Sequence, residues 1–301
     1  MSTHIVRGAL AMTMVGSSVA VSHALVDSPL LTGQGLRYAA ATVLLVVMAR
    51  LAGVPLLRPR GREWLWLAGV AVTGLVLFNV AVVRGVDHAE PAVIAVAVAG
   101  APVLIGLLGP LLEGRVPQAR SVLAAVVVTG GSVLVTGAGV TDLAGVGWAA
   151  LALLCEAAFT LLAVPVLPRH TAWGVSVHAV WIAAVLLLVS GLVLDGPGAA
   201  SRLTGTDVAA LAYLAVVVTA AAFVLWYGAV SGLGSGRAAL LCGVAPVAAA
   251  ALGIATTGIV PAPLVWVGIG VVLAGLALGL RTRPDATGRP RTPDVAAAGL
   301  T

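Results

Sequence analysis

The chain has 301 residues, of which 60% are hydrophobic and only 9% are charged. Soluble proteins carry about 25% charged residues, so this composition excludes a water-soluble surface over most of the chain. The apolar residues extend over the whole length, which also excludes a single membrane anchor joined to a soluble domain. All sixteen basic residues are arginine and the net charge is +5. Because these arginines collect in loops, they indicate membrane topology rather than nucleic-acid binding.

Ten apolar runs follow one another along the chain, and segments rich in proline, glycine and charged residues separate them. A helix needs about 20 apolar residues to cross the hydrocarbon core of a bilayer, and each run has about that length. The sequence therefore predicts an all-α integral membrane protein with ten transmembrane helices. The runs lie near residues 5–26, 31–52, 64–83, 91–112, 119–138, 145–166, 173–194, 208–230, 236–258 and 263–281.

Arginine is distributed unequally between the two sides of the predicted bundle. Thirteen of the sixteen lie in the N-terminus, the even-numbered loops and the tail, whereas only Arg84 and Arg202 lie in the odd-numbered loops. Because cytoplasmic loops are enriched in basic residues, we expect both termini in the cytoplasm. The lack of lysine beside abundant alanine, glycine and valine favours the cell membrane of a bacterium. Residues 286–301 are rich in arginine, proline and threonine, and we expect a disordered cytoplasmic tail there.

Residues 100–117 repeat in residues 244–261 at an offset of 144. The matched pairs are Pro102 with Pro246, Gly109 with Gly253, Gly114 with Gly258, Pro117 with Pro261 and, further on, Gly131 with Gly275. Matched proline and glycine at one offset favour a true repeat over chance alignment of apolar helices. We therefore predict two five-helix halves, residues 1–140 and 141–285. Five spans carry the chain from one side of the membrane to the other, so the second half starts on the opposite side and is expected to be inverted relative to the first.

Four stretches carry a family resemblance by their order and spacing. They are Gly16-Ser17-Ser18 in the first run, Pro29 followed by Arg37-Tyr38 in the second, the Pro102 run that ends at Glu113, and the segment from Trp226 through Arg237 to Pro246. Together they resemble the EamA-type branch of the drug/metabolite transporter superfamily. The resemblance covers nearly all of residues 5–281 and implies ten helices, inverted repeats and export of small metabolites. Family members usually have an acidic residue at the end of the ninth helix, matching Glu113, whereas this chain has Thr257.

Glu156 is the most informative single residue because it lies about halfway along the sixth run. A carboxylate at that depth costs about 2.5–3.5 kcal/mol, and intramembrane acids are usually functional. The opposite helix face should face lipid, and it carries Leu151, Leu154, Leu161 and Leu162. A carboxyl group there could bind and release a proton in each transport cycle, and the alternative is a protonated glutamate that hydrogen-bonds two helices together. The residues that share its face are small or polar: Ala149, Ala152, Thr160 and Ala163.

Other polar residues inside the runs are candidate contacts for a substrate cavity. Each also has a structural alternative, because serines suit helix packing, Asn79 suits a hydrogen bond to a neighbouring helix, and His178 suits a packed neutral imidazole. His23, near the outer end of the first run, is expected at the membrane interface. The candidates are Ser18 and Ser22 in the first run, Asn79 in the third, Thr160 in the sixth and His178 in the seventh.

Several residues near the ends of the runs are expected at the membrane surface. Arg37 and Tyr38 should snorkel toward water, and Arg37 has the alternatives of pairing with Asp27 or closing an outer gate. Trp226 and Tyr227 are expected to anchor their helix at the interface, with a substrate role as the alternative. Glu113 is expected to form a surface ion pair with the arginine two residues later.

Three prolines lie inside the predicted helices. Each of Pro102, Pro165 and Pro246 frees a backbone carbonyl and permits a kink. Because Pro102 and Pro246 occupy equivalent positions of the repeat, we predict that this pair acts as hinges.

The sequence contains no phosphate-binding loop, HExxH motif or nucleophile elbow. Cys155 and Cys242 lie inside apolar runs, which excludes a disulfide framework and a cysteine-based metal cluster. We therefore expect no enzymatic activity, no cofactor and no metal. The predicted function is secondary transport, in which an amino acid, a nucleoside or a toxic compound leaves the cell by alternating access with Glu156 as the candidate for proton coupling. The alternatives are an uncoupled facilitator of the same fold and a non-transporting membrane scaffold or sensor.

Overall fold

The computed structural model of the protein describes residues 2–22, 25, 28–137, 139–257 and 261–280. Several sequence predictions concern parts of the chain outside this description. These parts are His23, Asp27, the tail 286–301 and the side chains of Ser22 and Thr257.

The described residues form long helices joined by short connections. Within the described ranges, nine helices, α2 to α10, are long and apolar enough to cross a membrane, and α1 is a further helix of 21 residues. The backbone of α9 continues as a helix to Thr257. The helices are α1 (Ser2–Ser22), α2 (Leu30–Leu51), α3 (Glu63–Gly85), α4 (Pro91–Leu112), α5 (Ala119–Thr136), α6 (Leu143–Leu161), α7 (Leu167–Leu194), α8 (Gly205–Leu233), α9 (Ser235–Ala255) and α10 (Pro263–Leu280).

The junction between α6 and α7 differs from the sequence prediction. Helix α6 ends at Leu161, and Pro165 lies in the turn that follows rather than inside a helix. Helix α7 begins at Leu167 with Pro168 in its first turn, where proline is tolerated because the missing N–H would have no helical partner. Thr171 then interrupts α7 with φ 58° and ψ 176°, a conformation that costs a residue with a Cβ about 1–3 kcal/mol.

Many of the contacts between helices pair off at an interval of five positions, although α7–α8 and α5–α9 have no comparably strong counterpart among the described residues. Helix α1 packs against α8 and α9, and α6 packs against α3 and α4. Likewise α2 packs against α8 as α7 packs against α3, and α4 packs against α5 as α9 packs against α10. The contacts α5–α10, α2–α7 and α4–α9 each join a helix to its own counterpart. If each helix from α1 to α5 is exchanged with the helix five positions later, this set of contacts is unchanged.

Irregular segments also occur in counterpart helices. A π-helical segment interrupts α3 at Ala71–Leu77, and another interrupts α8 at Leu214–Ala221. Helix α4 breaks at Gly100, and α9 contains a 3-10 turn at Leu241–Gly243. The predicted hinge prolines, 102 and 246, each lie among the first three residues after these breaks.

Helices α5 and α10 cross with their backbones in direct contact. A Cβ on Gly131 would lie 2.7 Å from the backbone N of Val272, and a Cβ on Gly275 would lie 3.0 Å from the backbone N of Val128. These two contacts exchange with each other at the offset of 144 residues. By contrast, a Cβ on Gly130 would meet nothing within 4 Å. Glycine at 131 and 275 is therefore what allows the two helices to approach so closely.

Candidate functional site

Glu156 lies on α6 and faces the side of the bundle formed by α8 and α9. Its side chain is half-buried and lies near the side chains of Tyr227 on α8 and Cys242 on α9. The Tyr227 hydroxyl donates its proton to the backbone oxygen of Phe159 at 3.1 Å, so it does not satisfy the carboxylate. Among the described residues, no arginine or histidine pairs with Glu156. Within the described part of the chain, the site thus holds an acid without a cationic partner.

The face of α6 that carries Glu156 packs as its sequence predicts, whereas the opposite face does so only in part, because Leu151 and Leu162 are half-buried. Ala152 is fully buried and Leu154 is 58% exposed, as expected for an inward small face and an outward leucine face. Leu161, however, is only 7% exposed. The prediction for Leu161 is wrong because it is the last residue of α6 and packs with Ala101 and Ile105 of α4.

Thr160, a predicted cavity contact, hydrogen-bonds a neighbouring helix. Its Oγ1 accepts from the indole Nε1–H of Trp226 on α8 at 3.1 Å, and both residues are buried. The predicted interfacial position of Trp226 is therefore wrong. A buried indole N–H requires an acceptor, and Thr160, one helical turn after Glu156, supplies it.

The half-buried Arg37 side chain hydrogen-bonds two neighbouring side chains instead of extending to the surface as predicted. Its Nε donates to Thr219 Oγ1 of α8 at 3.0 Å, and its Nη1 donates to Gln34 Oε1 at 2.9 Å. Its guanidinium carbon lies 5.0 Å from the centroid of the Tyr38 ring, which is itself buried. We refer to Arg37, Gln34, Tyr38 and Thr219 as the arginine cluster. In the described part of the chain, no carboxylate pairs with Arg37.

Both π-helical segments meet the arginine cluster. Thr219 lies in the segment of α8, and its hydroxyl donates to the Leu214 carbonyl, five residues back, at 3.0 Å. Asn79 follows the segment of α3 and donates to the Tyr38 hydroxyl at 3.1 Å and to the Leu75 carbonyl at 2.6 Å. Of the two interpretations of Asn79, the hydrogen bond to a neighbouring helix is thus present. Short π-helical segments occur frequently at functional sites.

An aromatic group separates the arginine cluster from Glu156. Thr219, Phe223 and Tyr227 follow one another on α8 at four-residue intervals and so share one face. The Phe159 ring of α6 lies 5.0 Å from Phe223 and 5.2 Å from Tyr227, centroid to centroid. Eight residues of helix span about 12 Å, so the arginine cluster and the surroundings of Glu156 lie at two separate depths.

The serines of α1 make local and interhelical hydrogen bonds. Ser18 donates to the Val15 carbonyl at 2.7 Å, which is a contact within its own helix. Ser17, which the sequence analysis did not select, lies 2.6 Å from the Tyr213 hydroxyl and joins α1 to α8. A hydroxyl pair between helices leaves no sequence signal, because each partner is fixed only by the packing.

His178 has hydrogen-bonding partners on both ring nitrogens. Its Nε2 lies 2.9 Å from the Leu57 carbonyl, and its Nδ1 accepts from the indole Nε1–H of Trp181 at 3.2 Å. An imidazole that donates from Nε2 and accepts at Nδ1 is neutral. This geometry agrees with the packed neutral histidine, and it places His178 away from Glu156, near the start of α3.

Glu113 ties the end of α4 to the start of α9. Its Oε1 accepts from the Ser235 backbone N at 2.7 Å and from Ser235 Oγ at 2.6 Å. Its Oε2 forms an ion pair with Arg115, as predicted, but the side chain is only 15% exposed and is not at an open surface. At the same end of the bundle, Glu63 of α3 pairs with Arg169 of α7.

Helices α4 and α9 pack tightly near this contact and loosely at the other end. The segment of α4 after Gly100 has five buried residues, whereas the segment before it has only Ile94. In α9, residues 238–241 are buried, whereas residues 244–250 are half-buried. Within α4 and α9, the described residues are therefore more deeply buried toward the end where α1 begins than toward the opposite end.

Two open concavities on the described residues lie at that opposite end. One, of ≈ 530 Å³, is lined by His88 and Asp142, and the other, of ≈ 400 Å³, by Asp195 and Arg202. Neither includes Glu156 or the arginine cluster. The predicted central cavity is thus not one of these two.

Comparison with known proteins places the chain among transporters. Residues 4–137 and, separately, residues 143–281 match the EamA-like transporter family. The chain is 28% identical over 294 residues to an uncharacterized transporter of Bacillus subtilis, YetK, covering 92% of this chain and 87% of that protein. It is also 28% identical over 247 residues to a protein of Streptantibioticus cattleyicolor named as a probable terminal-alkyne amino-acid exporter, covering 81% and 82% of the two chains.

The fold has a counterpart among solved structures. A crystal structure superposes with a TM-score of 0.76 at 18% identity, covering 92% of this chain and 96% of that one. At this identity, the likeness concerns the all-helical fold alone. The family match spans nearly the whole of the described bundle in two consecutive parts. The chain therefore belongs to the EamA-like transporter family and is a multi-pass membrane transporter.

Proposed function

We propose that the protein exports a small metabolite, most simply an amino acid, by proton-coupled alternating access with Glu156 as the coupling residue. The observation that carries the proposal is a half-buried acid that lacks a cation partner among the described residues. Such an acid can be neutral with a proton bound or charged beside a cationic group, and a coupled transporter needs these two states. The relative named as a probable amino-acid exporter supports the cargo class.

We further propose that residues 1–140 and 141–285 are inverted repeats that rock against each other. Three independent features support this proposal: the helix contacts that exchange between halves, the π-helical segments in counterpart helices, and the separate family matches to each half. The breaks beside Pro102 and Pro246 are suited to act as hinges, because a broken helix can bend with little loss of hydrogen bonds.

We propose ten spans with both termini in the cytoplasm of a bacterium. The thirteen arginines on the side of the termini support this orientation. With that orientation, the tight packing of α4 against α9 near Glu113 closes the cytoplasmic end, and the looser end faces outward. The described conformation then corresponds to an outward-facing state of the cycle.

The test uses purified protein in liposomes with an imposed pH gradient and a panel of radiolabelled amino acids. One pH unit is worth about 1.4 kcal/mol, so coupling to one proton would accumulate the cargo about tenfold per unit. Glu156→Gln should abolish the accumulation but retain exchange of labelled for unlabelled cargo. Glu90→Gln, which alters an exposed acid, is the matched control and should accumulate cargo normally.

Each alternative predicts a different result. Flux that follows only the cargo's own gradient in the wild type would establish a facilitator. Full gradient-driven accumulation by Glu156→Gln would refute the coupling role and make this residue structural. Wild-type liposomes that carry no amino acid better than empty ones would refute the cargo class, and an interior that no thiol reagent reaches would favour a scaffold.

A further inference from the structure

We propose that the arginine cluster binds a carboxylate group of the cargo. The proposal rests on the proposed transport function and assigns the part of the cargo molecule that the outer half of the bundle recognises. It starts from an observation that the function above leaves unused: Arg37 is a charged side chain inside the bundle, and its described partners are all neutral.

The guanidinium of Arg37 has donors to spare. It carries five N–H groups, and the described hydrogen bonds use one on Nε and one on Nη1. The Nη2 atom has no described partner and is not among the fully buried unpaired atoms, so it retains accessible surface. A carboxylate can therefore approach Nη2 and the second Nη1 proton together, in the bidentate geometry that arginine provides and lysine does not.

The neighbouring groups suit an anion rather than a cation. Gln34 uses its carbonyl oxygen to accept from Arg37, which leaves its amide N–H groups as further donors. The hydroxyl of Thr219 accepts from Arg37 and donates to Leu214, so it holds the guanidinium in place. Charges inside a membrane usually pair with an opposite charge, and the chain supplies no carboxylate at Arg37 in its described part.

The position of the cluster suits a cargo that enters or leaves at the loosely packed end. Arg37 lies seven residues after the start of α2, which is about 10 Å along the helix. The rings of Phe223 and Phe159 lie beyond it in the direction of Glu156. A carboxylate held at Arg37 therefore directs the rest of the molecule toward an aromatic surface, which favours small organic acids and amino acids with an apolar side chain.

The experiment measures carboxylate binding without requiring transport. Thermal unfolding of the full-length protein in detergent is followed in the presence of valerate, L-norvaline or L-norvaline amide. The three compounds share a hydrocarbon chain, and the first two carry a carboxylate that the amide lacks. Wild type and Arg84→Gln, which removes an exposed arginine at the same end, should be stabilised by valerate and norvaline but not by the amide. Arg37→Gln should bind both carboxylates at least about tenfold more weakly.

Arg37→Lys keeps the charge and covers the case in which Arg37→Gln does not fold. It should retain the preference for carboxylate over amide with weaker binding, because an ammonium group lacks the planar pair of donors. Stabilisation by the amide equal to that by the acid, or carboxylate binding unchanged in a folded Arg37→Gln protein, would overturn the proposal. If either of these results were found while wild type still transported norvaline, the transport function would stand and only the carboxylate site would be refuted. If carboxylates bound at Arg37 but no amino acid were transported, the transport function would be refuted and the site would stand.

Discussion

The contact between Glu113 and Ser235 predicts how strongly α4 and α9 are held together at the end of the bundle that we propose is cytoplasmic. The carboxylate accepts two short hydrogen bonds from Ser235, and hydrogen bonds to charged groups contribute about 1.5–3 kcal/mol each. Because both donors belong to one residue and regain water on opening, we estimate about 3 kcal/mol for the pair. At 1.4 kcal/mol per factor of ten, Glu113→Ala should raise the fraction of molecules open at this end about 100-fold.

Alkylation of Cys242 measures this opening. This half-buried thiol lies in the 3-10 turn of α9, beyond the tight packing near Ser235, and Cys155→Ser removes the other thiol. A membrane-impermeant maleimide applied to the cytoplasmic face of inside-out vesicles should label Glu113→Ala at least about tenfold faster than wild type.

The matched control is Arg115→Gln. Arg115 is 57% exposed and touches only the oxygen of Glu113 that does not bind Ser235. Exposed ion pairs contribute about 0–1 kcal/mol, so its labelling rate should stay near that of wild type. A folded Glu113→Ala protein that labels no faster than wild type would refute the argument, as would an equal acceleration in Arg115→Gln.

Two further predictions concern stability. Gly131→Ala places a Cβ against the Val272 backbone and should lower the free energy of unfolding by about 1–3 kcal/mol. The control Gly130→Ala should change it by less than about 1 kcal/mol, because a Cβ there meets nothing within 4 Å. Both values are measured by denaturant titration, and similar losses in the two variants would contradict the close crossing of α5 and α10. The pKa of Asp142 lies below its ordinary value, chiefly because the Gly145 N–H hydrogen-bonds its carboxylate and secondly because His88 does. The charged carboxylate therefore stabilises the folded protein above about pH 4, and this contribution is lost as the pH falls further. The difference in melting temperature between wild type and Asp142→Ala should accordingly shrink below pH 4, and a constant difference from pH 7 to pH 3 would argue against it.

The fold was predictable because its elements follow from runs of apolar residues. Each run has the length of a membrane span, and matched prolines and glycines such as Pro102 and Pro246 indicate the proposed repeat. The inward face of α6 followed from helical periodicity around Glu156, and Ala152 is buried there as expected. These properties are local in the sequence, so no knowledge of neighbouring helices was needed.

The interior positions of Arg37 and Trp226 could not be predicted in the same way. Both lie toward the ends of their runs, where arginine and tryptophan usually face the membrane surface. What places them inside is an acceptor on another helix, Thr219 for Arg37 and Thr160 for Trp226. The π-helical segments were missed for a related reason, because a shift from four-residue to five-residue hydrogen bonding leaves the apolar composition unchanged.

The crossing of α5 and α10 bears on how such a protein can arise. Gly131 of α5 contacts Val272 of α10, and Gly275 of α10 contacts Val128 of α5. The two helices therefore use the same kind of surface to contact each other. A surface of this kind is self-complementary, and self-complementary surfaces make closed twofold dimers. Under the proposed inverted repeat, a five-helix ancestor that carried this helix would have paired with an upside-down copy of itself before gene fusion. The glycines that joined two chains would then join the two halves of one.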